Sequence, residues 1–273
     1  MKRDTALVRV GALLLALFVA APLYWMLVTS FKTPSAVGQT PPAWFPHPFT
    51  WMNYRTSFTY LDFQRYFMNS VIIAVSSTLA VLVLGSGAGY ALARFPVRGR
   101  MGIMTALLVV SVFPEIAVIS PLYLLMRLVG WLNSYQGLII PYTAFNLPFA
   151  IWILRNYFLS IPREMEEVAE IDGANPLRTF LSIIIPQATP GLFTAAVFTF
   201  TATWTEFLMA LTINSITPYR TIPVGIALFG AQYTVPYGNL FAASMVSIVP
   251  IAVLVLIFRN AVVSGLTQGA VKG

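Results

Sequence analysis

Residues 166–176 read EEVAEIDGANP. With Glu164 just before them, five acids (Glu164, Glu166, Glu167, Glu170 and Asp172) fall within nine residues, and the whole 273-residue chain holds only nine. Pro162 suits the first position of a helix. Glu164, Glu166 and Glu167 then crowd its first turn, where the helix dipole favours negative charge. Met165, Val168, Ala169 and Asp172 recur every three or four residues and share a face. Ala169 and Gly173 are small, so another surface can approach the backbone there. Gly173 admits a left-handed turn, and Asn175-Pro176 discourages the helix from running on; a second short helix is expected from Leu177. A helix lying on lipid is usually basic on its polar face. This one is acidic, short and sharply ended, which is the pattern of a protein-docking element.

The surroundings are oily. Hydrophobic residues make up 58% of the chain and charged residues 9%, against about a quarter charged in soluble domains; mean hydropathy is +0.78. Six apolar stretches reach the roughly 20 residues a membrane helix needs: Val8–Phe31, Phe67–Phe95, Met101–Leu128, Tyr135–Leu159, Ser182–Ile213 and Asn239–Val263. The expected fold is an all-α membrane protein of six transmembrane helices, with the acidic helix on the cytoplasmic side. The first stretch follows Lys2 and Arg3 like a signal peptide but continues past Pro22, so it reads as a retained anchor. Lys and Arg accumulate inside. With the N-terminus inside, eleven of the sixteen basic residues are cytoplasmic and five (Lys32, Arg55, Arg65, Arg127 and Arg220) are outside; an even number of spans puts the C-terminus inside too. The net charge of +7 is then a topology signal. Its scatter through short loops argues against a nucleic-acid surface.

Other features exclude chemistry. There is no cysteine, hence no disulfide or Cys-based metal site. The lone His47, in PPAWFPHPFTW, has no acidic neighbours and reads as an outer-loop surface residue. The loop around it, Lys32–Tyr66, carries Trp44, Phe45, Trp51 and Tyr54, rings that collect at the membrane interface. GSGAGYALARF (85–95) lacks the Lys and Ser/Thr of a phosphate loop; Gly85 and Gly89 suit close helix packing instead. Prolines at 114, 121, 141, 148, 186 and 190 fall within spans three, four and five, where kinks or breaks are expected. Glu115 lies near the centre of span three and Glu206 in the outer third of span five, in TWTEFLMAL. A charge at mid-bilayer costs about 3 kcal/mol, so such groups face a partner or a water-filled cavity. Two readings stand: Glu115, Asn146, Trp204 and Glu206 line a pathway, or Glu115 is protonated against a kinked backbone and Glu206 pairs with a neighbouring helix. Gln187 is a similar polar intrusion.

Glu167-Val168-Ala169, three residues, Gly173, nine residues, then Ile183, one residue, Ile185 and Pro186 resemble the EAA-x3-G-x9-I-x-L-P loop of ABC importer permeases, with Val168 and Ile185 as mild departures. The likeness extends to residues 120–158, to WTEFLMAL (204–211) and to GLTQGAVKG (265–273), as in the MalG-like branch of the carbohydrate-uptake subgroup; Thr205 stands where that subgroup has Asn. The resemblance implies a single permease domain over residues 1–273 in a bacterial or archaeal cytoplasmic membrane. It implies a second, non-identical permease subunit, two ATPase subunits that bind ATP and Mg, and an extracytoplasmic solute-binding protein that delivers sugar. No cofactor and no covalent chemistry fall to this chain. Loop 161–186 would be the coupling loop, with Glu166, Glu167, Ala169, Glu170, Asp172, Gly173 and Pro186 coupling to the ATPase. The tail 265–273 would reach the ATPase interface, and loop 214–238 would contact the binding protein. A permease for a polyol or glycerophosphodiester carries the same motif. A stand-alone ion-coupled carrier is the reading from another class; it would need internal repeats, and none is evident.

Overall fold

Apolar run length decides the first level of structure, and proline decides where the runs bend. The computed structural model describes the backbone of residues 2–229 and 235–270, and the side chains of residues 7–59, 61–229 and 235–258. The elements are α1 (Lys2–Ser30), α2 (Pro34–Val37), α3 (Met52–Tyr60), α4 (Phe63–Arg94), α5 (Arg100–Ser111), α6 (Glu115–Leu128), α7 (Gln136–Ser160), α8 (Glu164–Ile171), α9 (Pro176–Thr179), a π-helical turn (Phe180–Ile184), α10 (Ile185–Gln187), α11 (Thr189–Thr205), α12 (Leu208–Ile213), a 3-10 turn (Thr217–Tyr219), α13 (Ile222–Ala227) and α14 (Tyr237–Ala270). Among the described residues β structure is limited to an antiparallel bridge between Lys32 and Phe49.

Among the described residues four stretches are long and apolar enough to cross a bilayer: Leu7–Ser30, Phe63–Arg94, Gln136–Ser160 and Tyr237–Phe258. Two further spans are bent pairs. α5 and α6 meet at 90°, and Pro176–Gln187 meets α11 at 75°. With each pair counted as one span, the six expected spans are present. The first bend sits at Pro114, whose ψ of 118° is extended; the ring removes a donor and biases Phe113 away from helix. The second sits at Ala188, between Pro186 and Pro190, and the turn before Pro186 widens to π geometry, with the Ile185 N–H bonded to the Phe180 carbonyl. Such widening accommodates a proline without breaking the ladder outright. Pro141 and Pro148, by contrast, do not interrupt α7, which runs unbroken with both prolines buried. The sequence-based expectation of a break in span four is corrected here: packing on α7 holds it as one helix.

The described chain divides into two units, residues 1–67 with 222–249, and residues 68–221 with 250–273. In the first, α1 is exposed from Leu7 to Tyr24, an apolar surface suited to lipid. The loop after it is ordered by polar ties: Asn53 Nδ2 donates to the Ser30 and Lys32 carbonyls at 2.9 and 2.7 Å. Phe31 stacks on Phe49 and meets Trp51 edge-on. Lys32 is buried, with Nζ donating to the Ala43 carbonyl and lying 4.2 Å from the Trp25 ring centre. Trp44, Phe45 and Trp51 stay exposed, as an interfacial belt requires.

The second unit is organised around α7. Its Ala150, Ile153, Leu154 and Phe158 share a core with Val81, Tyr90 and Ala93 of α4, Ile184 and Ala195. Close approach is set by glycine. A Cβ at Gly89 would lie 3.1 Å from the Arg155 nitrogen, whereas one at Gly85 would meet only ordinary contacts at 3.5 Å and beyond. A Cβ on Gly191 of α11 would lie 2.4 Å from Cγ of Tyr157, so α11 packs on that ring directly. Gly191→Val is expected to cost about 1–3 kcal/mol through overpacking, read as a lower thermal midpoint of the detergent-solubilised protein. Gly85→Ala, the matched control, should leave the midpoint unchanged.

Candidate functional site

The acidic helix α8 begins one residue after Arg163; Pro162 thus precedes the helix rather than opening it. Its end is a Schellman motif. The Ala174 N–H bonds to the Ala169 carbonyl at 2.9 Å, the Gly173 N–H to the Glu170 carbonyl at 3.0 Å, and Gly173 takes φ +78°. Asn175 then caps α9, its Oδ1 accepting from the Arg178 N–H at 2.8 Å, with Pro176 as the first helical residue. The chain turns twice within four residues, and both turns are hydrogen-bonded.

Burial separates the residues expected to work together. Glu167, Glu170, Asp172, Gly173 and Pro186 are exposed. Ala169 is 3% exposed and faces the protein, so it is not part of an open seat. Glu166 also turns inward. Its Oε1 accepts from Arg94 Nε at 2.5 Å and its Oε2 from the Tyr90 hydroxyl at 3.1 Å. What α8 and α9 present instead is an apolar ridge, Val168, Ile171 and Leu177, with Ile171 86% exposed, beside Glu167 and Glu170. Exposed apolar groups rimmed by polar residues mark protein or membrane interaction sites. Of the two small residues read from the sequence as a seat, Gly173 is exposed and Ala169 is buried; the sequence does not reveal which way Ala169 points because that depends on the elements packed against α8.

The intramembrane carboxylates occupy two breaks. Glu115 is exposed in the first turn of α6, just after the Pro114 bend. Glu206 ends α11 in an extended conformation. Its carboxylate accepts from the Met209 N–H at 2.7 Å and the Ala210 N–H at 3.0 Å, which are the first turn of α12, and from the Tyr142 hydroxyl. Each acid thus sits where a half-helix begins and its dipole offsets negative charge. α12 packs against α6 and α7, and Glu115, Tyr142 and Glu206 lie within electrostatic range of one another. Asn146, half-buried, stands one turn along α7 from Tyr142 and donates to its carbonyl at 2.8 Å. Trp204 is buried, its ring stacked on Phe200 at 5.3 Å. Tyr90, Arg94 and Tyr142 were not singled out from the sequence. The four-residue spacing of Tyr90 and Arg94 at the end of span two was the available signal for that pair; Tyr142 carried none.

Residues 81–268 match the family described as binding-protein-dependent transport system inner membrane component. The trehalose/maltose transport system permease protein MalG of Thermococcus litoralis is 39% identical over 268 residues, 97% of this chain and 95% of that protein. The sulfoquinovosyl glycerol transport system permease protein SmoH of Agrobacterium fabrum is 40% identical over 252 residues, 92% and 88% of the two chains. Among solved structures, a chain of a bacterial ABC transporter involved in the import of the acidic polysaccharide alginate shares the fold, with a TM-score of 0.78 at 23% identity, over 95% of this chain and 98% of that one. The broken-span helical architecture and these matches agree, and the chain belongs to the family of binding-protein-dependent transport system inner membrane components, the permeases of ABC importers.

Proposed function

We propose that this chain is one of two non-identical permease subunits of an ATP-driven sugar importer. An extracytoplasmic binding protein delivers the solute, and two ATPase subunits hold ATP and Mg on the cytoplasmic side. Both termini are cytoplasmic. Loop 161–186 couples to the ATPase, with Glu167, Glu170, Asp172 and Gly173 around the contact and Pro186 at the hinge into α11. The observation that carries this reading is the exposed ridge of Val168, Ile171 and Leu177, set among acids on a short helix closed at Gly173. Such a stub is rigid enough to be pushed. The tail 265–273 extends the same contact; its last residues, 271–273, lie outside the described residues, as do residues 230–234 of the outer loop 214–238. The sugar assignment is supported by relatives named for trehalose/maltose and for sulfoquinovosyl glycerol transport.

The test is reconstitution of all four kinds of subunit in proteoliposomes. ATP-dependent uptake of a disaccharide such as trehalose or maltose is expected, and none by this chain alone. Uptake of a polyol or glycerophosphodiester with no sugar uptake would replace the sugar reading, and transport without nucleotide would replace the ABC mechanism itself.

A further inference from the structure

A docking helix transmits force only if its attachment is stiff. α8 leaves α7 through three residues, Ile161–Arg163, a link that could hinge. The structure fastens that link to α4. Arg94, the last residue of α4, donates through Nε to Glu166 Oε1 at 2.5 Å and through a terminal guanidinium nitrogen to the Ile161 carbonyl at 2.8 Å. Its side chain is 6% exposed. Tyr90, one turn earlier, gives its hydroxyl to Glu166 Oε2. The Tyr90 ring in turn packs on Phe158 near the end of α7 and, at 4.7 Å, on Phe180, which opens the π-helical turn after α9. One arginine and one tyrosine therefore hold the end of α7, the first turn of α8 and the turn leading to α11.

The chemistry suits a joint rather than a docking contact. A guanidinium–carboxylate pair is directional and charge-assisted, and shielding from water strengthens it. Removing either partner leaves the other charge partly shielded from water and without its counter-ion. Glu166 is the only one of the five clustered acids with an ion pair among the described residues.

We propose that Tyr90, Arg94 and Glu166 form the joint through which displacement of α8 is passed to α4, making Arg94 and Glu166 positioning residues for energy coupling. The proposal rests on the reading of α8 as the ATPase-docking helix. Without the joint, the loop at 161–163 flexes, and ATP is hydrolysed without moving the spans.

The complete transporter in proteoliposomes tests this. Arg178→Cys, exposed on α9 outside the ridge and in a chain with no native cysteine, reports docking through a thiol-to-amine crosslink to the ATPase. In that background, Glu166→Gln and Arg94→Gln should keep crosslinking and assembly while solute moved per ATP falls about fivefold or more. Reversal of the pair, Arg94→Glu with Glu166→Arg, restores the charge attraction but not the bonds to the Ile161 carbonyl and from the Tyr90 hydroxyl, and should recover only part of the ratio; the readout a merely structural role does not move is solute moved per ATP at parental assembly and crosslinking. Tyr90→Phe keeps the ring packing and should lower the ratio by about twofold, through loss of one hydrogen bond; it decides the question should the arginine variants fail to accumulate. An unchanged ratio in crosslinked, assembled variants overturns the joint alone. Absence of the crosslink in the parent overturns the docking reading and the joint with it.

Discussion

Gly173→Arg is expected to abolish substrate-stimulated ATP hydrolysis in the reconstituted complex, a loss of about tenfold or more, while the chain still inserts and folds. Two costs have to be separated. Gly173 holds φ +78°, and a residue with a Cβ pays about 1–2 kcal/mol to stay there. That strain is local, because nothing lies within 4 Å of the added Cβ. The larger effect comes from outside the chain. Gly173 closes the helix that carries the exposed ridge, and a guanidinium projecting there occupies the space of the docked partner; about 1.4 kcal/mol of lost seating is a tenfold loss of occupancy. Gly173→Asn isolates the two, since Asn tolerates the left-handed turn and adds little bulk. Coupling should survive in the Asn variant and vanish in the Arg variant, with equal membrane accumulation of both. Full coupling in the Arg variant would remove the docking face from this end of α8.

The sequence carries the number and length of the spans well because apolar run length is a one-dimensional property. It carries the close of α8 equally well: left-handed Gly173, then Asn175 and Pro176, are local instructions, and the backbone obeys them. Side-chain direction on α8 is a different kind of information. Glu166 and Glu167 are adjacent and chemically identical, yet one is paired with Arg94 and the other faces solvent. The choice depends on where α4 ends relative to α8, a distance across 72 residues of chain, and no local pattern encodes it. Proline gave mixed guidance for the same reason. Pro114 and the pair around Ala188 bend their spans, whereas Pro141 and Pro148 lie within α7, which neighbours pack from several sides.

The break at Glu206 has no helix-breaking residue at all. TWTEFLMAL contains neither proline nor glycine, and span five reads as continuous through it. The interruption is made by a side chain: the Glu206 carboxylate takes the first N–H groups of α12 in place of carbonyls from the preceding turn. Glu206→Ala is therefore expected to strip acceptors from Met209, Ala210 and the Tyr142 hydroxyl together. Each buried donor left unpaired costs about 1–3 kcal/mol, and lipid offers no water in exchange. A clear drop in the thermal midpoint of the solubilised complex and poor assembly should follow. Glu206→Gln keeps one acceptor oxygen and removes the charge, so it should assemble. Its uptake kinetics separate the two readings of this carboxylate: changed kinetics at parental assembly mean that the charge lines the solute's path, whereas lost assembly in the Gln variant means that it only holds α11 to α12. Parental stability in the Ala variant would show that the capping bonds do not hold the break, and the half-helix end would need another cause.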